Sequence, residues 1–151
     1  MTQREMALFY EGLLYALSNF SAFSVLWRGR WWMTAEHAYQ AAKFTDINVI
    51  MAIMLAPSAH EAKQIAKEHA HLKRADWNEV KIPVMEEILR AKLSQHAYVR
   101  ETLEKTGKIM IVENSPTDSF WGRGPDWKGQ NHLGKIWMRL RKQMRVSGKT
   151  G

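Results

Sequence analysis

The chain has 151 residues, of which 46% are hydrophobic and 11% aromatic, and it carries a formal charge of +7. That length and apolar fraction suit one domain with a sizeable core, and the charge suits anionic partners or simple solvation without choosing between them. The absence of cysteine excludes disulfides, cysteine-ligated zinc and a thiol nucleophile, so chemistry falls to carboxylates, histidine, lysine or hydroxyls.

No apolar run reaches the roughly 18 residues of a membrane-spanning helix. The first twelve residues carry acidic side chains and no long apolar core, so no secretory signal is read. The expectation is a soluble, cytoplasmic protein with no membrane partner and an oligomeric state left open.

In chain order, Leu8 to Tyr10 reads as a short strand ended by Glu11 and Gly12, and Ser18 and Asn19 are turn-forming types. Val25 to Trp27 and Trp31 to Met33 flank Arg28-Gly29-Arg30 and read as a hairpin. The hairpin leads into TAEHAYQAAKF at 34–44. Here Thr34 is an N-cap and Glu36 falls in the first helical turn. Glu36, Gln40 and Lys43 share one face, while Ala35, Ala38, Tyr39, Ala42 and Phe44 supply packing. One face packs and the other is open to chemistry.

After Asp46, Ile47, Ile50, Met51 and Met54 recur at helical spacing and read as core until Pro57. Ser58 with Glu61, and Asp76 with Glu79, have capping-box spacing. The first pair opens a helix through Ala62, Ile65 and Ala66 toward His69 and His71. The second opens a long helix through Trp77, Val80, Val84, Met85, Ile88, Leu89, Ala91 and Leu93, which Pro83 kinks or truly begins. A helix from Tyr98 to Lys105 stops at Gly107, and Ile109 to Val112 reads as a strand. The glycine-dense stretch from Asn114 to Asn131 reads as an ordered loop. Leu133 to about Arg145 closes the chain as a helix with Ile136, Trp137 and Leu140 on its apolar side. Arg139, Arg141, Lys142, Arg145 and Lys149 form a solvated face or a binding patch. The expected fold is mainly α, with about six helices and a small antiparallel β element, as a single domain over 1–146 with a flexible tail at 147–151.

The segments LSNF, TAEHAYQAAKF, AKLSQH, WGRG and NHLG occur in that order across nearly the whole chain. This multipartite pattern resembles the YbiA-like family, also called NADAR. The resemblance implies a single-domain YbiA-like fold and hydrolysis of N-glycosidic bonds. The implied substrates are phosphorylated intermediates of riboflavin biosynthesis or ADP-ribose conjugates, including ADP-ribosylated guanine in nucleic acid. It also implies important roles for Glu36, Asp118 and Trp77, with Asn19 and Lys43 in matching motifs; the expected site is Glu36 and Asp118 as catalytic residues and Asn19, Lys43, Trp77, Trp121, Gly122 and Asn131 as substrate-binding ones, with no metal and no cofactor. Two departures bear on substrate preference: Leu93 stands where relatives often carry Phe, and bulky Arg123 and Trp127 sit among the glycines.

The residues agree in kind with that chemistry. Breaking an N-glycosidic bond passes through an oxocarbenium-like sugar that a carboxylate stabilises, while an acid or base handles water and leaving group. On this reading an ionised Glu36 is the base or cation stabiliser and Asp118 positions water or ribose, and the two roles are open to exchange. The helix dipole favours charged Glu36 by about 0.3–1 kcal/mol, and burial acts the other way.

Other residues keep two readings. Trp77 stacks on a ligand ring or is core, and Asn131 bonds a ribose hydroxyl or caps the final helix. Lys43 and Arg123 are candidates for phosphate contact, and the amides at Gly122 and Gly124 read as an anion nest or a plain glycine turn. WGRG is neither a Walker nor a dinucleotide fingerprint. His60, His69 and His71 lack a ligand motif, His37 and His96 read as orienting groups, and Ser18 has no triad context. The alternative to an enzyme is a non-catalytic ADP-ribose or nucleic-acid binding module that uses the basic surface and the indoles.

Overall fold

The computed structural model describes residues 5–10 and 12–149, with side chains through Val146. In chain order the elements are β1 (Met6–Phe9), a 3-10 segment (Gly12–Leu17), β2 (Val25–Trp27), β3 (Arg30–Trp32), α1 (Ala35–Ala41), α2 (Ile47–Met54), α3 (Ala59–Glu68), a 3-10 turn (Ala70–Leu72), α4 (Trp77–Gln95), α5 (Ala97–Lys105), β4 (Met110–Glu113) and α6 (His132–Lys149). The mainly α fold with a small antiparallel β element is thus the one adopted. Among the described residues no helix is long and apolar enough to cross a membrane. Glu11, expected to close the first strand, lies outside the described residues. So do residues 150 and 151 of the expected tail and the side chain of Lys149, while 147–149 continue α6.

The contacts group into two compact units: the described residues up to Ser18 with those from Ala97 onward, and Asn19–His96. In the first, β1 and β4 run parallel, in register from Met6↔Met110 to Phe9↔Glu113. A parallel pair needs a long crossover, so neither strand carries a local signal of its partner. Phe9 and Ile111 are fully buried, and α6 adds Leu133, Ile136, Trp137 and Leu140 to this core. The Trp137 indole N–H donates to Leu17 O at 3.0 Å, which satisfies the one polar atom of a fully buried ring.

Arg141 departs from the expected solvated row. It is buried, and its Nη1 donates to Thr106 Oγ1 at 2.9 Å and Ile109 O at 2.8 Å. Its row-mates Arg139, Lys142 and Arg145 are exposed. Gly107, at φ +61°, ends α5 in the left-handed conformation that favours glycine.

In the second unit, β2 and β3 form the expected hairpin, paired from Val25↔Trp32 to Trp27↔Arg30. Arg28 and Gly29 alone make the turn, with φ of +50° and +77°, so β3 begins one residue earlier than the sequence suggests. Thr34 caps α1 as expected, its Oγ1 accepting from His37 N at 3.2 Å. The open polar face expected of α1 is absent: every residue of Ala35–Ala41 is buried, because α2, α3 and α4 all pack against the helix.

On α2 the expected core set is also corrected. Val49 and Ile53 are buried, whereas Ile47 is 51% and Met51 39% exposed. The segment INVIMAIM is apolar around most of its circumference, so its periodicity has no clear phase, and packing on α1 and α3 selects the buried side. Ser58 caps α3 by accepting from Glu61 N at 3.1 Å, and Ala59, Ala62 and Ala66 form its buried face. Asp76 precedes α4 but makes no side-chain cap, because Arg74 holds its carboxylate through contacts of 2.6 and 2.9 Å. Pro83 lies exposed inside α4, where it lacks the N–H owed to the carbonyl four residues back.

Gly134 gives this packing a direct test. Alanine within a helix is normally favoured over glycine by about 1 kcal/mol. A Cβ here would stand 2.2 Å from Ile111 O and 2.5 Å from the Asn131 side chain. Gly134→Ala is therefore expected to destabilise the fold by about 1–3 kcal/mol or more, read as a lower midpoint in urea unfolding. An unchanged midpoint would show that α6 does not seat this closely on β4.

Candidate active site

The structure gathers Asn19, Glu36, Lys43 and Trp77 in the unit formed by Asn19–His96, and leaves Asp118, Trp121, Gly122 and Asn131 in the loop of the other unit. Glu36 stands in the first turn of α1, only 6% exposed, and its backbone N–H donates to Asn19 O at 3.0 Å. One turn on, Gln40 Nε2 donates to Glu36 Oε1 at 2.7 Å. Burial pushes the Glu36 carboxyl above its ordinary range. The Gln40 amide, the charges of Lys63 and Lys43 and the Asn19 amide pull it part of the way back.

The amides beside this carboxylate are buried too. Asn19 Nδ2 donates to Met85 Sδ at 3.3 Å, but Asn19 Oδ1 and Gln40 Oε1 meet no donor among the described residues. An unmet buried acceptor costs about 1–3 kcal/mol, so these two oxygens beside a carboxylate are ones that a hydroxyl donor would relieve.

Lys43 follows α1 and is half-buried, its Nζ 5.3 Å from the Tyr39 ring centroid. Burial lowers its pKa, Glu36 opposes that shift, and the positive charges of Lys73, Lys63 and Lys81 reinforce it. The Arg74 backbone N–H donates to Lys43 O at 2.8 Å, tying the chain before α4 to the end of α1. Trp77 packs 5.3 Å from the Tyr39 ring and is itself buried, so it forms a wall behind Tyr39.

His37 orients this helix. Its Nε2 lies 3.0 Å from Ala56 O, which can only accept, so the proton sits on Nε2. Nδ1 then accepts from Thr34 Oγ1 at 2.8 Å, and Thr34 Oγ1 in turn accepts from His37 N.

In the other unit, Asp118 is half-buried, and its Oδ1 accepts from the backbone N–H groups of Phe120 at 3.0 Å and Trp121 at 2.8 Å. This is a side-chain turn that shapes the loop. Trp121 stands edge-on to Phe120 with centroids 4.8 Å apart. Gly122 permits close approach, since a Cβ there would lie 2.8 Å from Glu113 O.

Of the two readings of the amides at Gly122 and Gly124, the plain glycine turn is the one seen. The N–H groups of Gly122, Arg123 and Gly124 already donate to the carbonyls of Asp118, Glu113 and Ser115. Arg123 is likewise engaged, its Nε on Asn114 Oδ1 at 2.6 Å and its guanidinium 4.1 Å from the Trp127 ring centroid. Both ends of the Asn131 amide bind β4, with Oδ1 accepting from Glu113 N and Nδ2 donating to Ile111 O, each at 2.9 Å. Asn131 so acts as an extra rung beside the strand.

Two contributors, Gln40 and Lys63, lie outside the residues expected to form the site. Gln40 carried a readable signal, since it lies four residues beyond Glu36 on a helix. Lys63 carried none, because only the packing of α3 on α1 brings its charge to bear on Glu36. Among the described residues no three His, Asp or Glu side chains form a group that could hold a metal ion.

Comparison with known proteins bears on the whole chain. The NADAR domain model matches residues 8–145. An N-glycosidase of Nostoc punctiforme is 43% identical over 131 residues, covering 85% of this chain and 84% of that protein. The N-glycosidase YbiA of Escherichia coli is 37% identical over 129 residues, covering 85% of this chain and 81% of that one. A riboflavin biosynthesis protein of Vibrio vulnificus is 35% identical over 128 residues, but the match covers 35% of its length, so this chain spans about a third of it. The NMR structure of Escherichia coli YbiA matches with a TM-score of 0.89 at 33% identity, covering 100% of this chain and 91% of that one. By its sequence match and by its fold, the chain belongs to the NADAR domain family.

Proposed function

We propose that this protein is an N-glycosidase that hydrolyses the bond between a nitrogenous base and C1 of a phosphorylated ribosyl or ADP-ribosyl group. The observation that carries this reading is the buried Glu36 carboxylate with two donorless amide oxygens beside it. Vicinal sugar hydroxyls are donors of the matching kind, and a carboxylate among them stabilises the positive charge that grows on C1 and the ring oxygen. The C1–N bond breaks with its electron pair going to the base, water adds to C1, and the proton that Glu36 takes from that water is passed to the departing nitrogen, which frees the base and regenerates the carboxylate. A carboxylate whose pKa is raised is the stronger proton acceptor once ionised.

Glu36 is assigned this role in preference to Asp118, whose Oδ1 is occupied by two backbone N–H groups. Lys43, flanked by the charges of Lys63, Lys73 and Lys81, is assigned the phosphate. The names of the relatives favour the same chemistry, N-glycosidase in two of them and riboflavin biosynthesis in a third.

The deciding experiment incubates substoichiometric protein in parallel with a ribosylaminopyrimidine phosphate, with DNA carrying ADP-ribosylated guanine and with NAD, and follows products by chromatography. Release of free base from one of them is expected, and Glu36→Gln should lower kcat by about 10²- to 10⁴-fold. Salt-dependent binding with no product from any of the three would instead favour a binding module.

The raised pKa of Glu36 also makes a stability prediction. Folding favours its neutral form, so this group's contribution is fully present below the ordinary value of 4.5 and is lost as pH rises through the folded value. Glu36→Gln has no charge to bury. It should therefore gain on wild type in Tm between pH 4 and pH 8, and equal Tm differences at the two ends would contradict the burial of a charged Glu36.

A further inference from the structure

The second half of α4 and the residue that follows it send three polar side chains onto 19–26, the segment that carries Asn19. Lys92 is fully buried, its Nζ donating to Ser21 Oγ at 2.9 Å and lying 5.5 Å from the Phe23 ring centroid. Gln95 takes both backbone groups of Leu26, accepting from its N–H and donating to its carbonyl at 2.8 Å each, as a neighbouring strand would. His96 donates from Nε2 to Ser24 O at 2.5 Å and stands edge-on to Phe23. Earlier on the same helix, Met85 receives the Asn19 amide. At its other end the segment meets the site, where Asn19 O accepts from Glu36 N.

A fully buried lysine is an unfavourable way to fill a core, since an ammonium must be removed from water and an apolar side chain of similar length carries no such penalty. Burial draws the Lys92 amine down to about 7. The bond to Ser21, two residues from Asn19, supplies a reason for retaining it.

We infer that Lys92 is a positioning residue for the Glu36 site: through Ser21 it fixes the 19–26 segment so that the Asn19 amide and carbonyl stay seated against Glu36. It acts through Ser21 and Asn19. The inference rests on the Glu36 assignment above for its effect on turnover, but the geometric claim has its own readout. The Asn19 amide lowers the Glu36 pKa, so any loosening of the segment should appear as a rise in that pKa.

The test titrates the Glu36 side-chain carboxyl by carbon-13 NMR in wild type, Lys92→Met, Ser21→Ala, Asn19→Ala and the Lys92→Met/Asn19→Ala double variant. Lys92→Met should keep or raise Tm, since it removes a buried amine. It should shift the Glu36 titration upward, in the direction of Asn19→Ala, with no further shift in the double variant. Ser21→Ala keeps the amine, removes the bond and should shift the titration the same way, so it carries the test even if Lys92→Met fails to fold.

In turnover of the ribosylaminopyrimidine phosphate, kcat should fall about 10- to 100-fold in Lys92→Met, with KM little changed. An unmoved Glu36 titration in both Lys92→Met and Ser21→Ala would overturn the inference. So would shifts from Lys92→Met and Asn19→Ala that simply add. Full activity of Glu36→Gln would sink the catalytic assignment and leave the titration result standing.

Discussion

The Glu36 carboxylate is held in a helix with no exposed residue, and much of the 19–96 unit follows from that constraint. A surface helix satisfies an acid with water, whereas here the protein must supply every partner. It does so from three directions: Gln40 from the same helix, Asn19 from the preceding segment, and positive charge from Lys43 and from Lys63 on α3. The small residues of α1 and α3 make this possible. Ala35, Ala38 and Ala41 on one helix and Ala59, Ala62 and Ala66 on the other are all buried, which lets the two helices pack closely around the acid.

The glycine-rich loop works under a different constraint. Residues 114–131 contain no regular element, yet the amides of Gly122, Arg123, Gly124, Gly129 and Asn131 each find a carbonyl within the loop or in β4. Where such a segment is buried, as at Ser115, Gly122 and Gly124, its backbone polar groups need partners within the protein. Asp118, Arg123 and Asn131 take up that work with their side chains, and two of them, Asp118 and Asn131, are among the residues expected to form the site. A motif that reads as chemistry in the sequence therefore also encodes the closure of a loop.

Local signals in the sequence proved readable wherever the partner lay within a few residues. Thr34 and Ser58 cap their helices because a hydroxyl reaches an N–H three residues on, and the hairpin turns at Arg28-Gly29 because Gly29 takes a positive φ without steric cost. Where the deciding partner came from elsewhere, pattern failed. Asp76 has the spacing of a cap, but Arg74 captures its carboxylate. Met51 has the spacing of a core residue, but α2 is so uniformly apolar that neighbours choose its buried side. The parallel pairing of β1 with β4 joins residues about a hundred positions apart in sequence, beyond the reach of any local rule. Glu36 was legible as a candidate by spacing and resemblance, whereas its burial, which sets its acidity, was not.

That burial has opposite effects on the two ionisable groups carried by the same stretch. It raises the pKa of Glu36 and lowers that of Lys43, so either group alone would drift toward neutrality. Each opposes the other's drift, since Lys43 favours the carboxylate and Glu36 favours the ammonium. The pairing is not balanced, because Lys63 acts on both groups and Lys73 and Lys81 add positive charge at Lys43. One carboxylate thus faces several cations, a distribution that favours its ionised form and leaves net positive charge around it. Thr34 and His37 hold the helix from one end and Gln40 steadies the carboxylate from within, so TAEHAYQ places the Glu36 carboxylate and its supports within about two turns of helix.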